Sequence, residues 1–272
     1  MKIKNVHQLL EYCISFAEEE LNSFLKNSNN KAEESIIVAA LYRSILELSL
    51  SAKISAENGL RVSNELNYRS FLEHYLTLKY ILKDAKKFKR RATAYKVSYH
   101  LIQIESAALL MDTYEELGID KEQMEEIRKM HIEIIEQPEY ESTRNEYERM
   151  KRNSKYKQYP KWYSLNNGPT SVNQLIKASE DDPRFMKYLY GSLSQSAHGY
   201  LALRDWHSKG LLPLQAEVDP NEDNFNLGVF ASFLATSTQR FIIAVHPEHK
   251  LKLERFYSDY ISAKTELGLM QM

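Results

Sequence analysis

Cysteine is nearly missing from this sequence. Cys13 is the only one, which excludes an internal disulfide framework and a cysteine-based zinc site. Its phase with Leu9, Leu10 and Phe16 reads as a small buried hydrophobe in the first helix. Glycine (8) and proline (7) are scarce while Leu, Ala, Glu and Lys abound, a balance that favours helix over sheet. No sign of charge dominates: the formal net charge of -1 leaves no global field toward nucleic acid or a membrane, so any such affinity must come from a local patch. No cleavable hydrophobic region follows the first lysines, because Glu11 and the run Glu18-Glu19-Glu20 interrupt it. The most apolar stretch, Ile36 to Leu50, is shorter than a bilayer span and carries Arg43 and Glu47, so it reads as a buried core helix. These features fit a cytoplasmic protein with no membrane partner.

What is present is helical periodicity. Helices are expected over residues 4 to 26, 31 to 58, 60 to 83, 85 to 117 and from Asp120 to an interruption at Pro138, with Gly59 and Gly118 as stops and Asp120 as an N-cap. After Asn153 the organisation changes. An aromatic and Asn-rich loop runs to Asn173, a short helix spans Val172 to Ser179, and Asp181-Asp182-Pro183 opens a helix through Tyr200 or beyond. A second loop covers 208 to 221, and two last helices meet at His246-Pro247. The expected architecture is all-α, an antiparallel bundle of long helices with a C-terminal helical extension. Residues 1–152 form the long-helix bundle and 153–272 complete the same core as one domain.

The most informative feature is a duplication. Tyr42-Arg43-Ser44-Ile45-Leu46-Glu47 returns 26 residues later as Tyr68-Arg69-Ser70-Phe71-Leu72-Glu73, with five of six positions identical. In each copy Arg and Glu are four apart, hence a turn apart on one helix face. Arg43 and Glu47 are the only charged residues among the 17 from Ile36 to Ala52, which points to two charge pairs gathered inside a helical core. Two readings follow. The pairs lock two helices together, or the guanidinium forks face a cleft and bind carboxylate or phosphate while Glu47 and Glu73 hold them.

The second feature is the small-residue segment Tyr188 to Tyr200. Ser194 and His198 are four apart on one face, with Gly191 on the same stripe. A Ser-His contact is half of a nucleophile-base pair, though no nucleophile elbow surrounds it. The other reading is a donor-rich helix lining the same pocket as the arginines.

At these positions the chain resembles a bacterial all-helical family of unknown function. Its members carry Arg-Ser-x-x-Glu on two successive helices, then a Trp-containing loop, a short helix and a Tyr-x-x-x-Ser-x-x-x-His segment. The matching elements are Arg43 to Glu47, Arg69 to Glu73, Trp162-Tyr163, Val172 to Ser179, and Tyr190, Ser194 and His198, within residues 31 to 205. The resemblance implies an all-helical fold and a shared Arg, Glu, Ser and His site, and it supplies no reaction. At fold level there is an analogy to helical nucleotide-binding and ribonuclease domains of prokaryotic defence systems. Such ribonucleases use an Arg-x4-6-His arrangement. Arg69 and His74 fit its letters, but five residues of unbroken helix turn the two side chains apart.

Metal chemistry is not expected. The spacing of Glu73 and His74 departs from a Glu-x-x-His site, the arginines repel a cation, and His246 and His249 read as surface residues beside Pro247. No cofactor is implied. Of two basic clusters, the one leading from Arg149 into Lys155, Lys157 and Trp162 interleaves cations with rings, the combination that holds single-stranded nucleic acid. A solvated helix end with an ordered loop is the other reading.

The sequence thus leads to an enzyme acting on a phosphate-containing substrate, RNA or a nucleotide, in a prokaryotic defence or toxin-like setting. It would be a metal-independent nuclease or phosphate-ester hydrolase. Catalysis would fall to His198, Ser194 and Glu73, and ligand binding to Arg43, Arg69, Glu47 and Tyr190. The alternatives are a non-catalytic small-anion sensor and a helical interaction or adaptor protein with a protein partner. Long amphipathic helices make a homodimer a further expectation.

Overall fold

The computed structural model describes residues 3–26, 31–112, 118, 120–153, 159–199, 206–207, 210–211 and 224–269. Among them are ten α-helices: α1 (Val6–Leu25), α2 (Glu33–Glu57), α3 (Arg61–Leu82), α4 (Phe88–Asp112), α5 (Lys121–Ile135), α6 (Glu141–Asn153), α7 (Val172–Ala178), α8 (Pro183–Ala197), α9 (Asn224–Val245) and α10 (Lys250–Glu266). A two-residue antiparallel pair, Trp206–His207 with Gly210–Leu211, is the one extended element described. The fold is all-α, as the composition and periodicity imply.

Several helix ends follow from single residues. Asn5 caps α1 by accepting from the Gln8 N–H at 2.9 Å, and Asp120 caps α5 by accepting from Glu122 and Gln123. Gly59 takes a left-handed φ of 66° and closes α2, so that the Leu60 N–H returns to the Ser55 carbonyl. Pro138 ends one helical run and starts a 3-10 turn that feeds α6.

The chain packs as two units, residues 1–82 with 179–272, and residues 83–178. These bounds differ from the change of composition near residue 153. A composition shift marks where regular periodicity stops, and the units are set by which helices pack together.

In the first unit α9 is central, packing against α1, α2, α3 and α10. Its face carries Phe230, Phe233 and Phe241. Phe241 stacks on Tyr42 of α2 (4.2 Å between centroids), Phe230 lies against Tyr68 and Phe71 of α3 (4.5 and 4.7 Å), and Phe233 stacks on Tyr75 (4.3 Å). Tyr42 also meets the Thr238 hydroxyl at 2.7 Å. Phe16 of α1 stacks on Phe256 of α10 at 4.1 Å, and Cys13 is buried beside this layer, as its phase implies. By length and apolarity α2 and α9 would both reach across a bilayer, and most of the apolar span of α9 is buried in this core.

The second unit builds its core from Ala94, Val97 and Leu101 of α4 with Ile135, Tyr140, Tyr147 and Leu165. Two buried histidines, His100 and His131, join α4 to α5 through a 2.8 Å contact between their Nδ1 atoms. Lys83 donates to the Ala178 carbonyl at 3.0 Å and so ties the two ends of the unit together.

Because Phe230 fills the angle between two aromatic side chains of α3, Phe230→Ala is expected to destabilise the first unit by ~3–5 kcal/mol. The exposed Leu251→Ala should stay within ~0.5 kcal/mol. Urea denaturation midpoints of the two variants against the parent chain test the contrast.

Candidate functional site

The core member of each hexapeptide copy is its tyrosine. Tyr42 and Tyr68 are buried against α9. The next residue sits about 100° further round the helix, which carries each arginine to a flank. On α2 that flank is open. Arg43 and Glu47 are exposed, and among the described residues no hydrogen bond or ion pair joins them to the second copy. The expectation of a four-membered Arg/Glu network in the interior is corrected accordingly. Ile36 to Leu50 is not a wholly buried helix either. Its outer face exposes Ile36, Ala40 and Leu50 together with Arg43 and Glu47, so scarcity of charge there does not mean burial.

On α3 the same flank is covered by α8. Arg69 forms an ion pair with Glu73 at 2.9 Å, donates to the Tyr190 backbone carbonyl at 2.9 Å, and lies 3.4 Å from the centroid of the Tyr190 ring. Its side chain is 16 % exposed and that of Glu73 is 53 % exposed. The guanidinium therefore has one face and one edge committed to α8, and another edge held by a carboxylate half in solvent. One turn before Arg69, Glu65 accepts a hydrogen bond from the Ser196 hydroxyl, a second polar tie between the same helices.

The α8 helix owes its start to Asp182, which accepts from the Arg184 and Phe185 N–H groups at 2.7 and 3.2 Å, with Pro183 in the first position. Those N–H groups hold the Asp182 carboxyl below its ordinary range. The helix ends at Ala197, short of the Tyr200 limit expected. His198 is its C-cap, with its N–H donating to the Ser194 carbonyl at 3.1 Å, and Gly199 follows at a left-handed φ of 73°. Ser194 is half-buried and His198 exposed, one and two turns beyond Tyr190. The structure thus brings Arg69, Glu73 and Tyr190 into contact, with Ser194 and His198 further along the same helix, and leaves Arg43 and Glu47 out. His74 addresses the Ser70 carbonyl of its own helix at 2.7 Å.

In the second unit Trp162 is half-buried and packs edge-on against Tyr95 and Tyr163 (5.3 and 5.7 Å). Lys155 and Lys157 lie outside the described residues. Of the cations leading into that loop, Arg149 is paired with Glu146 at 2.8 Å and Lys151 with Glu105. A polar cleft of about 760 Å³ in this unit is lined by Arg90, Glu141, Asn145, Glu146, Arg149 and Asn166, of which Arg149 begins the basic cluster read from the sequence.

Two buried charge clusters escape the sequence reading. Lys79 has a side chain only 6 % exposed. It pairs with Asp181 at 2.7 Å, and the Tyr75 phenol donates to the same oxygen at 3.0 Å. Burial first, then the Asp181 carboxylate, pushes the Tyr75 phenol well up. Glu20 is wholly buried on α1 and is met by Lys252 and, at 2.7 Å, by His249. The signal for both is phase. Lys79 continues the stripe Leu72, Tyr75, Leu76, and Glu20 continues Cys13, Ala17 toward Phe24, so each is a charge at an apolar position. His246, expected at the surface, is 2 % exposed because its ring is wedged edge-on against Phe24 and Phe241.

A family of unknown function, DUF5677, matches residues 35–209, which includes α2 through α8 and every site residue named above from Arg43 to His198. No curated protein and no solved structure is detectably similar to the chain.

The unequal fate of the two hexapeptides is testable. Arg69→Ala is expected to cost ~1–3 kcal/mol in folding stability, since it removes a screened cation–π contact and a hydrogen bond between helices. Arg43→Ala should change stability by less than ~0.5 kcal/mol. Equal losses in chemical denaturation would contradict this geometry. The depressed Asp182 carboxyl adds a pH dependence. Its contribution is complete above the unfolded pKa of about 4 and is lost as pH falls through the lower folded value. Melting curves at descending pH should show that loss, and Asp182→Asn, which caps without titrating, should remove its share of the slope.

Proposed function

The chain belongs to DUF5677, a family of unknown function, and we propose from the seam between α3 and α8 that it binds a small phosphate-type anion, with Arg69 as the receiving group. The observation that carries this reading is the way Arg69 is held. The Tyr190 ring and carbonyl orient the guanidinium, and its other engaged edge meets only Glu73, an exposed carboxylate. A phosphate that displaces Glu73 exchanges one charge-assisted pair for another without disturbing any core contact. The fork arrives already oriented, so little side-chain freedom is lost on binding. Glu73 then acts as a tethered competitor that occupies Arg69 until a better anion arrives. A nucleotide or an RNA phosphate has the right chemistry, and so has a free phosphate.

A hydrolytic reading of the same seam has one observation in its favour. His198 is exposed at the C-terminal cap of the helix that holds Arg69, one turn past Ser194. An imidazole there is suited to move protons for a metal-independent nuclease or phosphate-ester hydrolase, with Arg69 neutralising phosphate charge. That chemistry would suit the defence or toxin-like role set out above.

Calorimetric titration with inorganic phosphate, pyrophosphate and a nucleoside monophosphate tests the proposal. Binding is expected in the parent chain, should be lost in Arg69→Gln, and should tighten in Glu73→Gln, where the competitor has no charge. No binding to either the parent chain or Glu73→Gln would overturn it. Turnover of RNA or nucleotide that disappears in His198→Ala selects the hydrolytic reading, and binding without turnover selects the sensor.

A further inference from the structure

A second polar cluster lies at the corner between α9 and α10, and the family match ending at residue 209 does not reach it. Pro247 opens a 3-10 turn, Pro247–His249, flanked by His246. In 3-10 geometry side chains three residues apart eclipse one another. The rings of His246 and His249 accordingly lie face to face, 4.8 Å between centroids and 8° from parallel. Glu248, between them in sequence, reaches the Nδ1 of His246 at 3.1 Å. The two imidazoles and this carboxylate each offer one donor atom, and the three atoms lie within 4.8 Å of one another.

His249 Nδ1 faces Glu20 at 2.7 Å, and Glu20 is wholly buried. A carboxylate on Nδ1 fixes the tautomer that leaves Nε2 free to coordinate, the usual support behind a metal-binding histidine. His246 is buried, yet its Nε2 has no hydrogen-bond partner. A buried imidazole nitrogen left unmatched is costly, and that cost is removed when Nε2 itself takes the ion. The charges also point to a cation. Glu19 and Glu20 share the single ammonium of Lys252, while Glu248 faces the His246 ring. Three carboxylates against one ammonium leave an excess of negative charge among the acidic and lysine side chains that a divalent ion would balance.

We propose that His246, Glu248 and His249 bind a divalent transition metal ion, Zn2+ in the first instance, with Glu20 orienting His249 from behind. Two imidazoles and a carboxylate suit zinc and its neighbours better than Mg2+ or Ca2+, which prefer all-oxygen sites. Bonds of ~2.0–2.1 Å to zinc place tetrahedral ligands about 3.4 Å apart. The cluster must therefore draw together, which takes rotation of the exposed Glu248 side chain and a turn of the part-exposed His249 ring out of its stack on His246. Three protein ligands leave a fourth position for water or another ligand. Bound there, the ion fastens the α9–α10 corner to α1 through His249 and Glu20, so it stabilises the folded chain.

The test is titration of the full chain, freed of any purification tag, with ZnCl2. Expected are one Zn2+ per chain, a rise in melting temperature reversed by EDTA, and no response to Mg2+ or Ca2+. His249→Ala should abolish tight binding, and Glu20→Gln, removing only the orienting charge, should weaken it by about 10–100-fold. Because His246 is part of the core, the decisive variants are the less buried His249→Ala and Glu248→Ala, each checked for folding by circular dichroism. An unchanged melting temperature with Zn2+, or full uptake by the folded His249→Ala/Glu248→Ala double variant, would overturn the proposal.

Discussion

Phe230, Phe233 and Phe241 run along one face of α9, and each rests on a tyrosine of the helices that carry the duplicated hexapeptide. This aromatic seam sets the rotation of α2 and α3. Large rings bury much apolar area and prefer offset or edge-on contacts, so a helix docked through them has little freedom to turn. With Tyr42 and Tyr68 fixed inward, every other residue of the hexapeptide has its direction assigned. The two arginines are equivalent within their helices, and they differ only in what stands beside them. α8 packs on α3 and gives Arg69 a ring, a carbonyl and a screened surrounding, whereas Arg43 stays at the surface of α2. One motif thus yields a helix clamp in one place and an exposed ion in the other.

That contrast explains how much of the protein was legible in its residues. The helices were legible because their signals are local: Gly59, Asp120, Asp182 and Pro247 each terminate or start an element by their own backbone chemistry. Part of the expected side-chain grouping was legible too, since Arg69 meets both Glu73 and Tyr190. The inference failed at Arg43 and Glu47 because it took a low density of charge over 17 residues as a measure of burial. Density averages around the helix, whereas burial depends on phase, and the exposed stripe of α2 carries Ile36, Ala40, Leu50 and Ile54 beside Arg43 and Glu47. Phase would also have found Glu20 and Lys79, each a charge in an apolar stripe. Their partners could not be read, because Glu20 meets residues more than 220 positions away and Lys79 one more than 100 away.

These two buried charges do something that apolar packing does poorly. Aliphatic faces tolerate small slips along a helix, while a desolvated ion is acceptable only in the register that supplies its partner. Lys79 with Asp181 and Tyr75 sets where the chain re-enters the first unit ahead of α8. Glu20 with His249 and Lys252 sets where α10 lies against α1. Both pairs join segments remote in sequence, and breaking either would leave an uncompensated charge in the interior. Their contribution is thus better described as choosing one arrangement of the helices than as adding to stability.

The same logic connects the two polar clusters through α9. Its Phe230 braces Tyr68, one residue before Arg69, and its last turn delivers His246 to the corner with α10. Residues 35–209 contain the Arg69 seam in full but neither α9 nor the histidine corner. The helix that orients α3 from within is therefore outside the matched span, and the phase of Arg69 depends on a part of the chain that the family signature does not include. A change at the histidine corner can reach Arg69 only by rotating or shifting α9. Three aromatic pairs, two stacked and one tilted, resist such movement along its length. The aromatic seam thus holds α3 at one end of α9 and the corner with α10 at the other.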